Sequence, residues 1–229
     1  MINKINTKVK VIQMSDFNGV FEISPLEKGF AATLATMLRR VLLTSISGAA
    51  VTGVRVHGAK HEYTTLDGVE EDVLRIILNL KLLKLRMFTD EPQTLFLNIK
   101  KAGSVTAGDI EQNSNVEVLN PELVIANLAD SNSSLSMEII VEKGSGYRYV
   151  DNEKRSEEIG FIPLDATFSP IAKVATEISS ARVGADVDYD KLTITIDTKS
   201  ILPNEAIIES LEILGDFTKI ILDLFKNEA

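Results

Sequence analysis

Apolar positions recur along this chain with two different periods. Lys8–Met14, KVKVIQM, and Gly19–Ile23, GVFEI, run at strand length on either side of the turn signal DFNG, which predicts a hairpin. Ser24-Pro25-Leu26-Glu27 then has capping-box spacing with proline at the first helical position, and Gly29 opens the helical stretch FAATLATMLRRVLLTSIS. Within it Phe30, Leu34, Met37 and Val41 share one stripe, while Ala31, Ala35, Leu38 and Leu42 share the next. VTGVRVHG and HEYTTL read as short strands about a turn, and Gly68–Leu83 as a second helix whose acids, Glu70, Glu71 and Asp72, precede its lysines, Lys81 and Lys84, as a helix dipole favours.

From Gln93 to Ser169 the period shortens to two. TLFLNI, NVEVL, ELVIANL, SLSMEIIVEKG and IGFIPLDATF, punctuated by Gly, Pro and Asn, make the middle of the chain mainly β. ARVGADVDYDKLTITID adds a turn and a strand. Leu202-Pro203-Asn204-Glu205 starts a last helix, with Ile207, Leu211, Leu214, Ile221 and Phe225 on one seam and Ile213, Phe217, Ile220 and Leu224 beside it. DNEKRSEE, residues 151–158, reads as a solvated loop tip.

The first and last helices are therefore apolar over more surface than one sheet can cover. A second stripe left in water costs about 25 cal/mol per Å². Another chain is expected to cover it, and since every copy carries the same two helices, a two-fold dimer is the simplest solution.

Composition narrows the chemistry. With no cysteine and only His57 and His61, the 229 residues offer no zinc framework and no thiol nucleophile, which fits a reducing cytoplasm. A net charge of −9 argues against direct binding to nucleic acid. MINKINTKVK lacks a signal-peptide apolar region, and the only long charge-poor stretch carries Arg39 and Arg40, which argues against a membrane span. Asp186, Asp188 and Asp190 form DxDxD, but Lys191 stands where a calcium loop needs glycine, so a solvated turn is preferred over a metal site. Gly144-Ser145-Gly146-Tyr147 is a tight turn rather than a phosphate cradle, and His61 next to Glu62 lacks a nucleophile to activate. Glu70-Glu71 and Glu157-Glu158 are sequence neighbours and do not converge. Arg39 and Arg40, about 100° apart on a helix, cannot serve one surface.

The run PLEKGFAATLATMLRRVLLTSISGAAVTGVRVHGAKHEYTTLDGVEEDVLRIILNLK, followed in order by NPELVIANL, SMEIIVEKGSGY, PLDATFSPIAKVATEISSARVGADVDYDKLTITIDT and the helix after LPNEAI, resembles the amino-terminal domain of the bacterial RNA polymerase α subunits. The likeness spans essentially the whole chain. It implies an α+β fold: a discontinuous dimerisation domain of antiparallel sheet and two long helices, residues 1–47 with 170–229, and an inserted mainly-β domain, 48–169. It further implies a homodimeric, non-catalytic scaffold that docks the β and β′ subunits of a nucleotidyltransferase complex, with no cofactor and no catalytic residue of its own.

By the same resemblance β docking falls on Arg40, Leu43, His61 and Glu62, and β′ docking on Lys81, Leu164 and Ser169. The dimer contact falls on Phe30, Leu34, Leu38 and Leu42 with Leu211, Leu214, Phe217 and Ile221, while Arg39 supports structure. Members of the family often carry glycine where this chain has Ala31 and Ala35, a difference expected to raise helix propensity and alter packing at the dimer contact. They also continue into a small helical domain that binds promoter DNA. This chain ends at Ala229, so DNA contact is not expected of these residues. Two other readings are a stand-alone dimeric interaction module and a metal-dependent enzyme using Asp186, Asp188 and Asp190.

Overall fold

The computed structural model describes residues 6–150, 160–183 and 186–228. The chain divides into two compact units, residues 1–46 with 169–229, and residues 47–168.

The first unit is one antiparallel sheet with two helices. Strands β1 (Lys8–Met14) and β2 (Asn18–Glu27) form the expected hairpin. Helix α1 (Phe30–Thr44) follows. The long pair β13 (Ile171–Val183) and β14 (Asp186–Thr198) completes the sheet in the order β1-β2-β14-β13, and α3 (Pro203–Glu228) ends the chain.

The capping box at Ser24–Glu27 does not form. Those residues remain in β2, with Ser24 opposite Lys8 and Leu26 opposite Asp190, because ladder pairing on both sides outweighs a local cap. Helix α1 instead enters through Gly29, whose φ of 83° disfavours any residue with a Cβ and whose N–H donates to Asp190 Oδ2 at 2.8 Å.

On α1 the stripe Ala31, Ala35, Leu38 and Leu42 is buried, Leu38 and Leu42 completely, against Phe21, Leu192, Ile194 and Ile196 of the sheet. Ala31 and Ala35 thus sit in the chain's own core, and the expected effect on a dimer contact is misplaced. At the start of α3, Ala206 and Ser210 are fully buried, and the Ser210 hydroxyl donates to the Ile207 carbonyl at 2.8 Å.

The second unit holds the inserted β structure. Strand β3 (Ser47–Val56) pairs with β9 (Ser134–Ser145), which pairs in turn with β5 (Gln93–Lys100), while β11 (Phe161–Pro163) flanks β3. On β9 the alternation is strict: Leu135, Met137, Ile139 and Val141 point into the core and their neighbours do not. Two-stranded pieces complete the unit. They are β4 (Leu85–Met87) with β7 (Val116–Val118), β6 (Gly103–Thr106) with β8 (Val124–Leu128), and β10 (Tyr147–Arg148) with β12 (Ala166–Thr167).

Helix α2 is Val73–Leu80, half of the expected Gly68–Leu83. Glu70 N–H donates to the Asn127 carbonyl at 3.0 Å, and the Glu71 carboxylate accepts from Asn127 N–H and Nδ2 at 2.7 and 2.8 Å. These bonds hold the preceding segment against β8, so the helix begins only after Asp72, whose carboxylate accepts the Arg75 N–H at 2.7 Å. His61–Leu66 is not a strand. It turns on itself through Thr64 N–H to the His61 carbonyl, 3.2 Å. DxDxD lies within β14 rather than in a turn.

A one-turn 3-10 segment, Ala107–Asp109, carries a reciprocal cap: Asp109 accepts from Thr106 N–H and from Lys101 Nζ, each at 2.8 Å. Burial raises the pKa of Asp109, but the Lys101 ammonium and the Thr106 donors outweigh it and hold the carboxyl below its ordinary value. A depressed folded-state pKa contributes stability above the unfolded value near 3.9 that disappears as pH falls through the folded one. Asp109→Asn is therefore expected to flatten the loss of stability below about pH 4, measured by urea midpoints at several pH values. An unchanged acid limb would reject the assignment. No helix among the described residues is long and apolar enough to cross a membrane.

Candidate protein-docking surfaces

One stripe of α1 faces away from the sheet. There Phe30 is 48% and Met37 39% exposed, with Leu34 and Val41 half-buried between them. Leu38 and Leu42, expected at a dimer contact, have no surface left to offer; Met37 and Val41 take their place on the outer stripe. The helical spacing carried that distinction, but periodicity alone does not say which of two stripes meets the sheet.

Helix α3 is more extreme. Beyond its docked first turns it exposes Leu211, Phe217 and Ile221, with Leu214 half-buried, as well as Ile208, Ile220, Leu222, Leu224 and Phe225. Phe217 is 66% exposed and Phe225 72%. Charged residues recur along one stripe, Glu205, Glu209, Glu212, Asp216, Lys219, Asp223 and Lys226, so the helix is amphipathic with an apolar face left open to solvent.

Arg39 and Arg40 separate as the helical angle requires. Arg39 Nη1 donates to the Val174 carbonyl and ties α1 to β13. Arg40 is exposed, and among the described residues its guanidinium has no hydrogen bond or ion pair. Leu43 is half-buried at the edge of the same core. Arg40 and Leu43 are thus on α1 of the first unit, whereas His61 and Glu62 lie on a loop of the second. His61 is exposed, with Nδ1 3.3 Å from Thr64 Oγ1 and its ring 6.4 Å from that of Tyr63.

The residues expected to meet β′ separate too. Lys81 is exposed and caps the C-terminus of α2, its N–H bonded to the Ile77 carbonyl at 3.0 Å. Leu164 is 7% exposed and packed in the core of the second unit, with its N–H on the Thr52 carbonyl at 2.8 Å, so its side chain leaves almost nothing for a partner. Ser169 is half-buried where the chain re-enters the first unit, with Oγ 3.4 Å from Ile171 N.

Asp190, one of the three carboxylates considered for a metal, is engaged by Gly29. The side chains of Asp186 and Asp188, and the loop 151–158, lie outside the described residues. No group of three His, Cys, Asp or Glu side chains arranged to hold a metal occurs among those described.

One aromatic surface escaped the sequence reading. Tyr147 and Tyr149 are exposed and meet edge to face at 5.2 Å, and between them in sequence Arg148 stacks over Phe168 at 5.0 Å and pairs with Glu142 at 2.6 Å. Partial burial and the nearby Asp165 carboxylate push the Tyr147 phenol above its ordinary pKa. The alternation in GYRY was the available signal.

Residues 54–169 match the family described as the RNA polymerase Rpb3/RpoA insert domain. Over 228 residues the chain is 43% identical to the DNA-directed RNA polymerase subunit alpha of Oceanobacillus iheyensis, covering 98% of this chain and 72% of that protein. With the subunit of the same description from Alkaliphilus metalliredigens it shares 44% over 228 residues, again 98% and 72%. With that from Symbiobacterium thermophilum it shares 45% over 231 residues, 99% and 73%.

Proposed function

The chain belongs to the bacterial DNA-directed RNA polymerase α-subunit family, and on that premise we propose that it is the assembly scaffold of the enzyme: a homodimer that holds the β and β′ subunits and performs no chemistry itself. The observation that carries the reading is the apolar surface of α1 and α3, exposed in a single copy on Phe30, Met37, Leu211, Phe217 and Ile221. A second copy supplies the same surface in return. Burial of both faces at about 25 cal/mol per Å² gives an association driven by the helices rather than by the sheet.

Arg40 supports the β contact because it is an exposed charged side chain that no partner engages among the described residues, the state in which arginine serves as an interface anchor. Leu43 lies one turn on. His61 and Glu62 are assigned to the same subunit by resemblance, and Lys81 and Ser169 to β′; Leu164 contributes to that side only by holding its segment in place. Since the two copies are identical and the two large subunits are not, each copy uses one of its two sets and leaves the other idle.

The test is a native co-purification. The chain is tagged at low copy in its own cell, recovered under mild salt and its companions identified by mass. A 2:1:1 recovery of this chain with β and β′ is the expected result. Recovery as a dimer without polymerase subunits would replace the proposal with a stand-alone interaction module.

A further inference from the structure

A cavity of about 510 Å³ opens in the second unit, between β5, the 3-10 turn and β7. Its floor is Leu95, Ala107, Ile110 and Val116, all at least nine-tenths buried and without a polar atom on their side chains. The exposed ring of Phe88 forms one wall, and Val118 and Pro121 line another part of the cavity. Glu111 and Glu117 stand among the lining residues, and none of the lining residues is cationic. Glu117 has Arg86 at 3.8 Å, outside hydrogen-bond reach. Glu111 accepts from Asn98 Nδ2 at 2.9 Å and has no ion pair among the described residues.

The strand beside the cavity is also open. The Leu119 N–H bonds the Lys84 carbonyl and the Phe88 N–H bonds the Asn115 carbonyl, both at 2.9 Å, which makes Leu85–Val118 and Met87–Val116 the non-hydrogen-bonded pairs of the ladder. The peptide groups of Val118 therefore point away from β4, along an edge that no other strand among the described residues covers.

An apolar floor, a lining carboxylate, Glu111, with no ion pair among the described residues, and an open strand edge have one chemistry in common. We propose that this cavity is a docking site for an extended segment of a partner protein in which a leucine or phenylalanine anchor is flanked by lysine or arginine: the anchor fills the floor, the cation meets Glu111, and the segment's backbone runs beside β7. The mode is strand addition with a side-chain pocket supplying selectivity. Acidic rims select against acidic partners as strongly as they favour basic ones, so the discrimination is electrostatic as well as steric. This cavity is lined by residues of the second unit, whereas α1, α3 and Arg40 belong to the first, and its fate does not depend on the scaffold reading.

The probe is the peptide acetyl-Lys-Leu-Lys-Phe-Lys-amide, titrated into the 229-residue chain with methyl groups observed by NMR. Two controls, acetyl-Glu-Leu-Glu-Phe-Glu-amide and acetyl-Lys-Ser-Lys-Ser-Lys-amide, remove the charge match and the anchor in turn. Saturable shifts at Leu95, Ile110, Val116 and Val118 with the first peptide alone are expected. Binding should weaken about tenfold in Glu111→Gln, one charge-assisted contact. It should weaken by a similar factor in Phe88→Ala; both positions are exposed, so folding is retained and is checked by the rest of the methyl spectrum. Absence of shifts at millimolar peptide, shifts confined to other surfaces, or equal response to the acidic peptide would each overturn the assignment.

Discussion

Arg40→Ala is expected to leave the fold and the dimer intact and to weaken capture of the β subunit by about 10- to 100-fold, the range of an arginine anchor at an interface. The side chain is exposed, no hydrogen bond or ion pair among the described residues is lost with it, and alanine is the better helix former. Its neighbour supplies the control. Arg39→Ala removes the bond to the Val174 carbonyl and should lower thermal stability by about 1 kcal/mol while β capture stays near wild type. Arg40→Lys should fall between, since a lysine keeps the charge but loses the planar fork. Titration of purified β against the dimer, with melting curves on the same samples, separates these outcomes. Undiminished β capture by the alanine variant would remove Arg40 from the docking surface.

The second large effect concerns the copies themselves. Phe217→Asp is expected to raise the dimer dissociation constant by about 10²- to 10⁴-fold, because burying a phenylalanine is worth roughly 1.5–3 kcal/mol and two-fold symmetry counts the loss twice. The monomer should remain folded, because Phe217 is 66% exposed within it. Leu42→Ala should behave in the opposite way. Leu42 is fully buried in the first unit, so its truncation should cost about 2–5 kcal/mol of folding stability and reach the dimer only through unfolding. Sedimentation velocity reads the first effect and urea denaturation the second. A Phe217→Asp protein that sediments as an unchanged dimer would place the seam elsewhere on the molecule.

The contrast between these two residues shows what a single sequence can and cannot resolve. Both lie on apolar helical stripes of the expected period. Leu42 turned out to face the chain's own sheet, and Met37 and Val41 hold the outer positions instead. A periodic pattern gives the angle between two stripes but not the side on which the sheet lies. Leu164 shows the same ambiguity on the β side: its place in the PLDATFSP segment was legible, its burial was not. At α2 the error had a different origin. Glu70 and Glu71 are good residues for a first helical turn, yet their partners are Asn127 main-chain and side-chain groups some 56 residues away, and no local rule contains them.

Read from sequence alone, the α+β class, the β1–β2 hairpin, the Pro203 start of α3, and the excess of apolar helix surface were all determined, because each is written in periods and breakers that act over a few residues, or in motifs that run in order along the chain. The tertiary structure alone decided which stripe is spent on the core, that β2 runs on through Ser24-Pro25 while α1 enters through Gly29 on Asp190, and that the lining of β5, β7 and the 3-10 turn leaves a cavity beneath Phe88. Those outcomes depend on pairings between residues far apart in the chain. Side-chain spacing sets what surface an element can present, and only its neighbours in space set how much of that surface remains.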